Sequence, residues 1–201
     1  MIQKPYNGIW PVAPTPFLPT GAVDYDGMKR VLDLMVDQGV DGICILANFS
    51  EQFLISDAER EQLTRVSLEH VAGRVPVIVT ISHFATDIVV GRAQLAKQLG
   101  AAMVMMMAPY HGALLKGTAQ QTYQQVDAVG AVGIPIMIQD APLSGVELPV
   151  PLLVQMAQVW GSMTLCHATL LSQSKLSIGC GWSWTNVASA MTRVLCIPCQ
   201  M

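Results

Sequence analysis

The chain has 201 residues, 52% of them hydrophobic and 12% charged, with a formal net charge of −3. That length fits one domain with a large core, and the absence of a basic run argues against nucleic acid or an anionic membrane surface as a partner. No apolar stretch of about 18 residues is present to cross a bilayer. Residues 1–8 carry a lysine with no apolar run after it, unlike a secretory signal, so a cytoplasmic location is expected.

Residues 8–17 read as an apolar first strand punctuated by prolines. From Asp24 to Gln38 the spacing of Met28, Val31, Leu32 and Met35 predicts a helix, with Gly39 as its C-terminal stop. Gly42–Asn48 is a continuous apolar run, as expected of a strand buried on both faces. Ser56 caps a second helix running to His70, and Glu59 completes a capping box. Residues 75–82 form the third strand and Asp87–Leu99 the third helix, closed by Gly100. Ala102–Pro109, rich in methionine, is the fourth strand, and its methionines read as barrel filling. Thr118–Val132 is the fourth helix, ended by Gly133. Ile134–Ala141 is the fifth strand, and Pro149–Trp160 begins a fifth helix with proline in its first turn.

Strands and helices that alternate in this way require a parallel sheet. No glycine-rich dinucleotide or phosphate loop follows the first strand. Long loops after the first, second, fourth and fifth strands suit an α/β barrel, whose active site is built from such loops. A whole barrel takes roughly 250 residues. The expected fold is therefore α/β, a partial (β/α)8 TIM barrel over residues 1–160 with an irregular C-terminal tail. Residues 161–201 change character: no Asp or Glu follows Glu147, and Ser, Cys and Trp rise together. A shifted reading frame near Val159 accounts for this tail better than a poorly folding extension does. Cys196-Ile-Pro-Cys199 has C-x-x-C spacing, but no second pair or histidine cluster completes a zinc site. No metal and no cofactor is expected.

Four segments at strand ends stand out. Thr15-Pro16-Phe17 is followed by Gly21-Ala22-Val23-Asp24. Leu46-Ala47-Asn48-Phe49-Ser50-Glu51 closes the second strand, Ala108-Pro109-Tyr110-His111 the fourth, and Ile138-Gln139-Asp140-Ala141-Pro142 the fifth. In order and spacing they resemble the dihydrodipicolinate synthase / N-acetylneuraminate lyase family, which has Gly-Thr-Thr-Gly-Glu, Pro-Tyr-Tyr and Tyr-Asn-Val-Pro at the last three places. The resemblance implies Schiff-base chemistry. A lysine at the end of the sixth strand condenses with a 2-oxo acid such as pyruvate, and the imine acts as an electron sink for C–C cleavage, condensation or dehydration. It also implies that Asn48, Phe49 and Ser50 occupy the loop that binds the substrate carboxylate through backbone N–H and hydroxyl donors.

The same resemblance exposes substitutions in the family's Tyr, Thr, Tyr proton relay, where Gln139, Asn48 and His111 now stand. Gln139, Tyr110 and His111 are the candidate catalytic residues. An amide has no usable proton near neutral pH, so Gln139 can orient a substrate hydroxyl or water but cannot act as a general acid. A histidine can exchange protons near neutral pH, which makes His111 a candidate, although a lone loop histidine is more often inert than catalytic. The Ile-Gln-Asp-Ala-Pro run is most similar to the family's 2-keto-3-deoxy sugar-acid dehydratases, of the L-arabonate type. The Schiff-base lysine is expected near His167, where Thr164-Leu165-Cys166-His167-Ala168 contains none. Lys175 comes later, in a polar run. The expected function is thus a lyase of this family acting on small 2-oxo acids, inactive in this chain and homo-oligomeric if intact. The alternatives are a non-catalytic module that pairs with an intact homologue, and a disrupted gene product.

Overall fold

In chain order the structure contains α1 (Tyr25–Asp37), β1 (Ile43–Ile45), a 3-10 turn (Asn48–Ser50), α2 (Asp57–Val71), β2 (Val77–Thr80), α3 (Thr86–Gln98), β3 (Met103–Met107), β4 (Tyr110–His111), β5 (Leu115–Lys116), α4 (Ala119–Gly130), β6 (Ile136–Asp140), α5 (Val150–Val159) and β7 (Met163–His167). This computed structural model describes residues 8–111, 115–140, 146, 148–159 and 163–167, with the backbone alone for 111, 140 and 163–167. The strands β1-β2-β3-β6-β7 form one parallel sheet in that order, and α1 to α5 connect or flank them. The fold is the α/β half-barrel expected from the alternation. Residues 163–167, which the sequence places beyond the barrel boundary, pair along β6. The proposed frame shift, the C-x-x-C pair and Lys175 otherwise concern residues outside those described.

Register divides the sheet into two apolar faces. Cys44 lies opposite Ile78, Ile78 opposite Met103, and Met105 opposite Met137. These residues share one buried cluster with Trp10. Ile43, Ile45, Val79, Val104, Met106 and Ile138 point the other way and pack against Leu32, Leu63, Val89 and Val126 of the helices. Strands buried on both faces need no polar alternation, which is why each reads as an unbroken apolar run.

Helix boundaries follow local chemistry. The Ser56 hydroxyl accepts from Glu59 N while the Glu59 carboxylate accepts from Ser56 N at 2.8 Å, the reciprocal cap that starts α2. Thr118 and Gln121 repeat the device at α4. Gly39 ends α1 with φ +73°, a conformation closed to most side chains.

Two expectations need correction, and one element left no signal in the sequence. Residues 8–17 form no strand of their own. They run beside β1, where Ala13 N donates to Cys44 O at 2.8 Å and Cys44 N to Pro11 O at 2.9 Å. Pro11, Pro14 and Pro16 lack the N–H groups that a longer ladder needs. The second strand stops at Ile45, not Asn48, because buried Leu46 turns into the left-handed region at φ +61°. The antiparallel β4–β5 hairpin was not foreseen, since strands of two residues each leave no periodicity to read.

Gly42, just ahead of β1, permits Trp10 to close the inner cluster. A Cβ there would lie 2.2 Å from the indole ring, which is itself only 2% exposed. Gly42→Ala should therefore lower the unfolding free energy by about 2 kcal/mol, a typical cost of overpacking. The check is the denaturant midpoint at unchanged slope, and a parent-like midpoint would show that the indole moves aside freely.

Candidate active site

Parallel α/β folds present reactive groups at the carboxyl ends of their strands, and the sequence-derived candidates fall there. The chain leaves β1 through Leu46, makes the 3-10 turn over Asn48–Ser50, and leaves it through Glu51, again left-handed at φ +56°. Two non-glycine residues in this region within six positions mark a strained turn held by its surroundings. Ser50 holds it from inside. Its hydroxyl donates to Ala13 O at 2.6 Å and accepts from Ala47 N at 3.1 Å, while Thr15 Oγ1 donates to Ser50 O at 2.7 Å. Ser50 is 1% exposed. The expectation that its hydroxyl adds a substrate donor is therefore corrected: that proton already belongs to Ala13 O.

The first N–H groups of the turn remain available. Ser50 N donates to Ala47 O and Glu51 N to Asn48 O. Among the described residues, no acceptor is bonded to the N–H of Asn48 or Phe49, as expected for the start of any helical turn. The Asn48 side chain is engaged elsewhere. Its amide donates to Met107 Sδ at 3.6 Å, and its carbonyl accepts from Gln52 Nε2. Met107, at the end of β3, lies opposite Gln139 of β6. The loop after β1 is thus joined through Met107 to the strand that carries Gln139. The Gln139 carbonyl oxygen is buried and has no hydrogen-bond partner among the described residues. A buried acceptor left open in this way is costly unless something donates to it.

Tyr110 follows the carboxyl end of β3. It is half-buried, and its ring meets Phe53 edge-on at 5.9 Å and 74°. Burial raises its phenol pKa, so near neutral pH it is a donor and not a base. His111 follows it in β4; its side chain lies outside the described residues. His83, after β2, accepts from Ala85 N at 3.0 Å. Burial first, then the Arg92 charge, holds its pKa below the ordinary histidine range. It serves the local turn, as its sequence position suggests.

His167 ends β7, paired with Asp140, and Cys166 lies opposite Gln139. No lysine occurs between Lys116 and Lys175. Among the described residues, Lys29 pairs with Asp26 on α1, Lys97 donates to Val132 O, and Lys116 is exposed on β5. Also among the described residues, no group of three metal-ligating side chains forms, and no helix is long and apolar enough to cross a membrane. Met107 and Gln52, which orient Asn48, gave no signal in the sequence, because their contacts span strands or run within an irregular loop.

A parallel α/β half-barrel with polar groups at its strand ends defines a class of barrel enzymes, and known proteins narrow it. A sequence model of the dihydrodipicolinate synthetase family matches residues 5–167. The chain is 55% identical over 154 residues to L-2-keto-3-deoxyarabonate dehydratase of Azospirillum brasilense, covering 76% of this chain and 50% of that protein. It is 32% identical to 4-hydroxy-tetrahydrodipicolinate synthase of Methylibium petroleiphilum, covering 83% and 57%. Among solved structures it is similar to YagE of Escherichia coli K12 in complex with pyruvate, with TM-score 0.73 and 26% identity over 78% of this chain and 53% of that one. The chain belongs to the dihydrodipicolinate synthetase family, and it spans about half the length of the relatives it matches.

Proposed function

We propose that this chain carries the 2-oxo-acid-binding part of a lyase site, of the kind used on 2-keto-3-deoxy sugar acids, without the lysine nucleophile of that chemistry. The observation that carries this reading is the joining, through Met107, of polar groups that have no partner among the described residues: the N–H groups of Asn48 and Phe49, and the Gln139 oxygen. The N–H groups suit a carboxylate, which gains from charge-assisted hydrogen bonds. The Gln139 oxygen suits a hydroxyl donor further along the substrate. Tyr110 supplies a protonated phenol. The likeness to the A. brasilense dehydratase supports the sugar-acid class over a dipicolinate precursor, and the missing lysine supports inactivity.

The test is a pyruvate titration followed at the backbone amides. Asn48 and Phe49 amides should shift on saturation. Asn48→Ala keeps both backbone donors but loses the side-chain bonds to Met107 and Gln52, so it should weaken binding without abolishing it. No shift at either amide in a folded sample would reject the carboxylate reading.

A second reading is a non-catalytic module that pairs with an intact homologue. It is favoured by Phe49, Phe53 and Leu54, exposed by 63%, 62% and 75% within one six-residue stretch, with Phe53 edge-on to Tyr110. Exposed apolar side chains gathered on one short loop mark a contact surface. Size-exclusion chromatography of a mixture with the A. brasilense dehydratase should then show a mixed species, and separate elution of the two would reject this reading.

A further inference from the structure

Arg60 is a buried cation that the site described above does not use. It lies in α2 and is 6% exposed. Its two terminal nitrogens reach two backbone carbonyls: Nη1 donates to Thr80 O at 2.9 Å and Nη2 to Gln52 O at 3.1 Å. Thr80 ends β2, and Gln52 follows the strained turn. No described carboxylate forms a salt bridge with Arg60. The nearby Asp57 instead pairs with Arg92 at 2.8 Å. Burial, with the Arg92 charge second, pulls the Arg60 pKa down to about 10, which still leaves it protonated near neutral pH.

A buried charge without an ionic partner is expensive, so its geometry has to supply something a neutral side chain would not. The rigid guanidinium fork holds two carbonyls at a fixed separation, which a single ammonium cannot do. The turn needs such a hold. Leu46 and Glu51 both stand in the left-handed region without being glycine. Ser50 anchors the inner side of the turn to Ala13, and Arg60 anchors the outer side to β2. Gln52 then connects the two systems, since its backbone oxygen meets Arg60 and its side chain holds Asn48.

We infer that Arg60 is a positioning residue for the 48–51 turn, fixing through Gln52 O and Thr80 O the direction in which the Asn48 and Phe49 N–H groups point. The inference rests on the reading of those groups as a carboxylate cradle. Its test needs no ligand, so a chain that binds no pyruvate would defeat that reading alone.

The experiment is amide hydrogen exchange on the full chain and on Arg60→Met and Arg60→Lys. The Ser50 and Glu51 amides report the turn, and Val126 and Val129 report the packed α4 helix. Arg60→Met should speed exchange at Ser50 and Glu51 by about tenfold, with Val126 and Val129 changed by less than about twofold. Arg60→Lys keeps the charge and one hydrogen bond, and should fall between Met and the parent. Unchanged exchange at Ser50 and Glu51 in Arg60→Met would overturn the inference, as would equal acceleration at all four amides. If Arg60→Met does not fold, Arg60→Lys decides. Faster exchange confined to the turn supports the positioning role, and parent-like exchange overturns it.

Discussion

Ser50→Pro is expected to abolish pyruvate binding and to lower stability by roughly 3 kcal/mol. The substitution removes three bonds at once. Proline has no N–H to donate to Ala47 O, and no hydroxyl to donate to Ala13 O or to accept from Ala47 N. Ala13 O and Ala47 N would be left buried and unpaired, and each such loss costs about 1–3 kcal/mol. Proline also pushes the preceding residue out of the helical region, so Phe49 could not hold its place in the 3-10 turn. Ser50→Ala isolates the hydroxyl contribution. It should cost about 2 kcal/mol and weaken pyruvate binding without abolishing it. Chemical denaturation and a pyruvate titration on the three proteins check this order. A Ser50→Pro titration that superimposes on the parent would remove the 48–50 turn from the site.

Much of the fold was legible in the sequence, because its strong signals are local. Ser56 and Glu59 cap α2 through each other, and Gly39 and Gly133 stop helices where only a left-handed residue will do. The paired apolar faces of β2, β3 and β6 show as runs such as Met103–Met107. What could not be read depends on distant partners. The extended path of residues 8–17 depends on prolines meeting the edge of β1. The early end of β1 depends on Leu46 entering the left-handed region, a choice no leucine makes by propensity.

The site divides in the same way. The strand-end positions of Gln139, Tyr110 and the 48–50 turn are readable from the sequence, because the resemblance fixes strand ends. The role of the Ser50 hydroxyl was misjudged, because its acceptor, Ala13 O, lies in a segment expected to form a separate strand. Met107 reads as core filling from sequence and is buried as expected, yet its sulfur also receives the Asn48 amide. Arg60 sits in an ordinary charged helix, Asp57–Val71, and nothing in that pattern marks it as buried.

The proposed 2-oxo-acid site without a lysine nucleophile predicts a definite covalent outcome. Schiff-base formation needs an unprotonated amine placed at the substrate carbonyl, usually by burial or a neighbouring cation. Lys29 is ion-paired with Asp26 on α1, Lys97 donates to Val132 O after α4, and Lys116 is exposed on the hairpin. None stands on a strand end of the main sheet, and β7 brings Cys166 and His167 to the place where the family resemblance puts the lysine. The direct measurement is intact mass after incubation with pyruvate and borohydride, which reduces any imine to a stable secondary amine. The mass should be unchanged at pyruvate concentrations that saturate the Asn48 and Phe49 amide shifts. A stoichiometric adduct of one reduced pyruvate, mapped to any lysine of the chain, would contradict it.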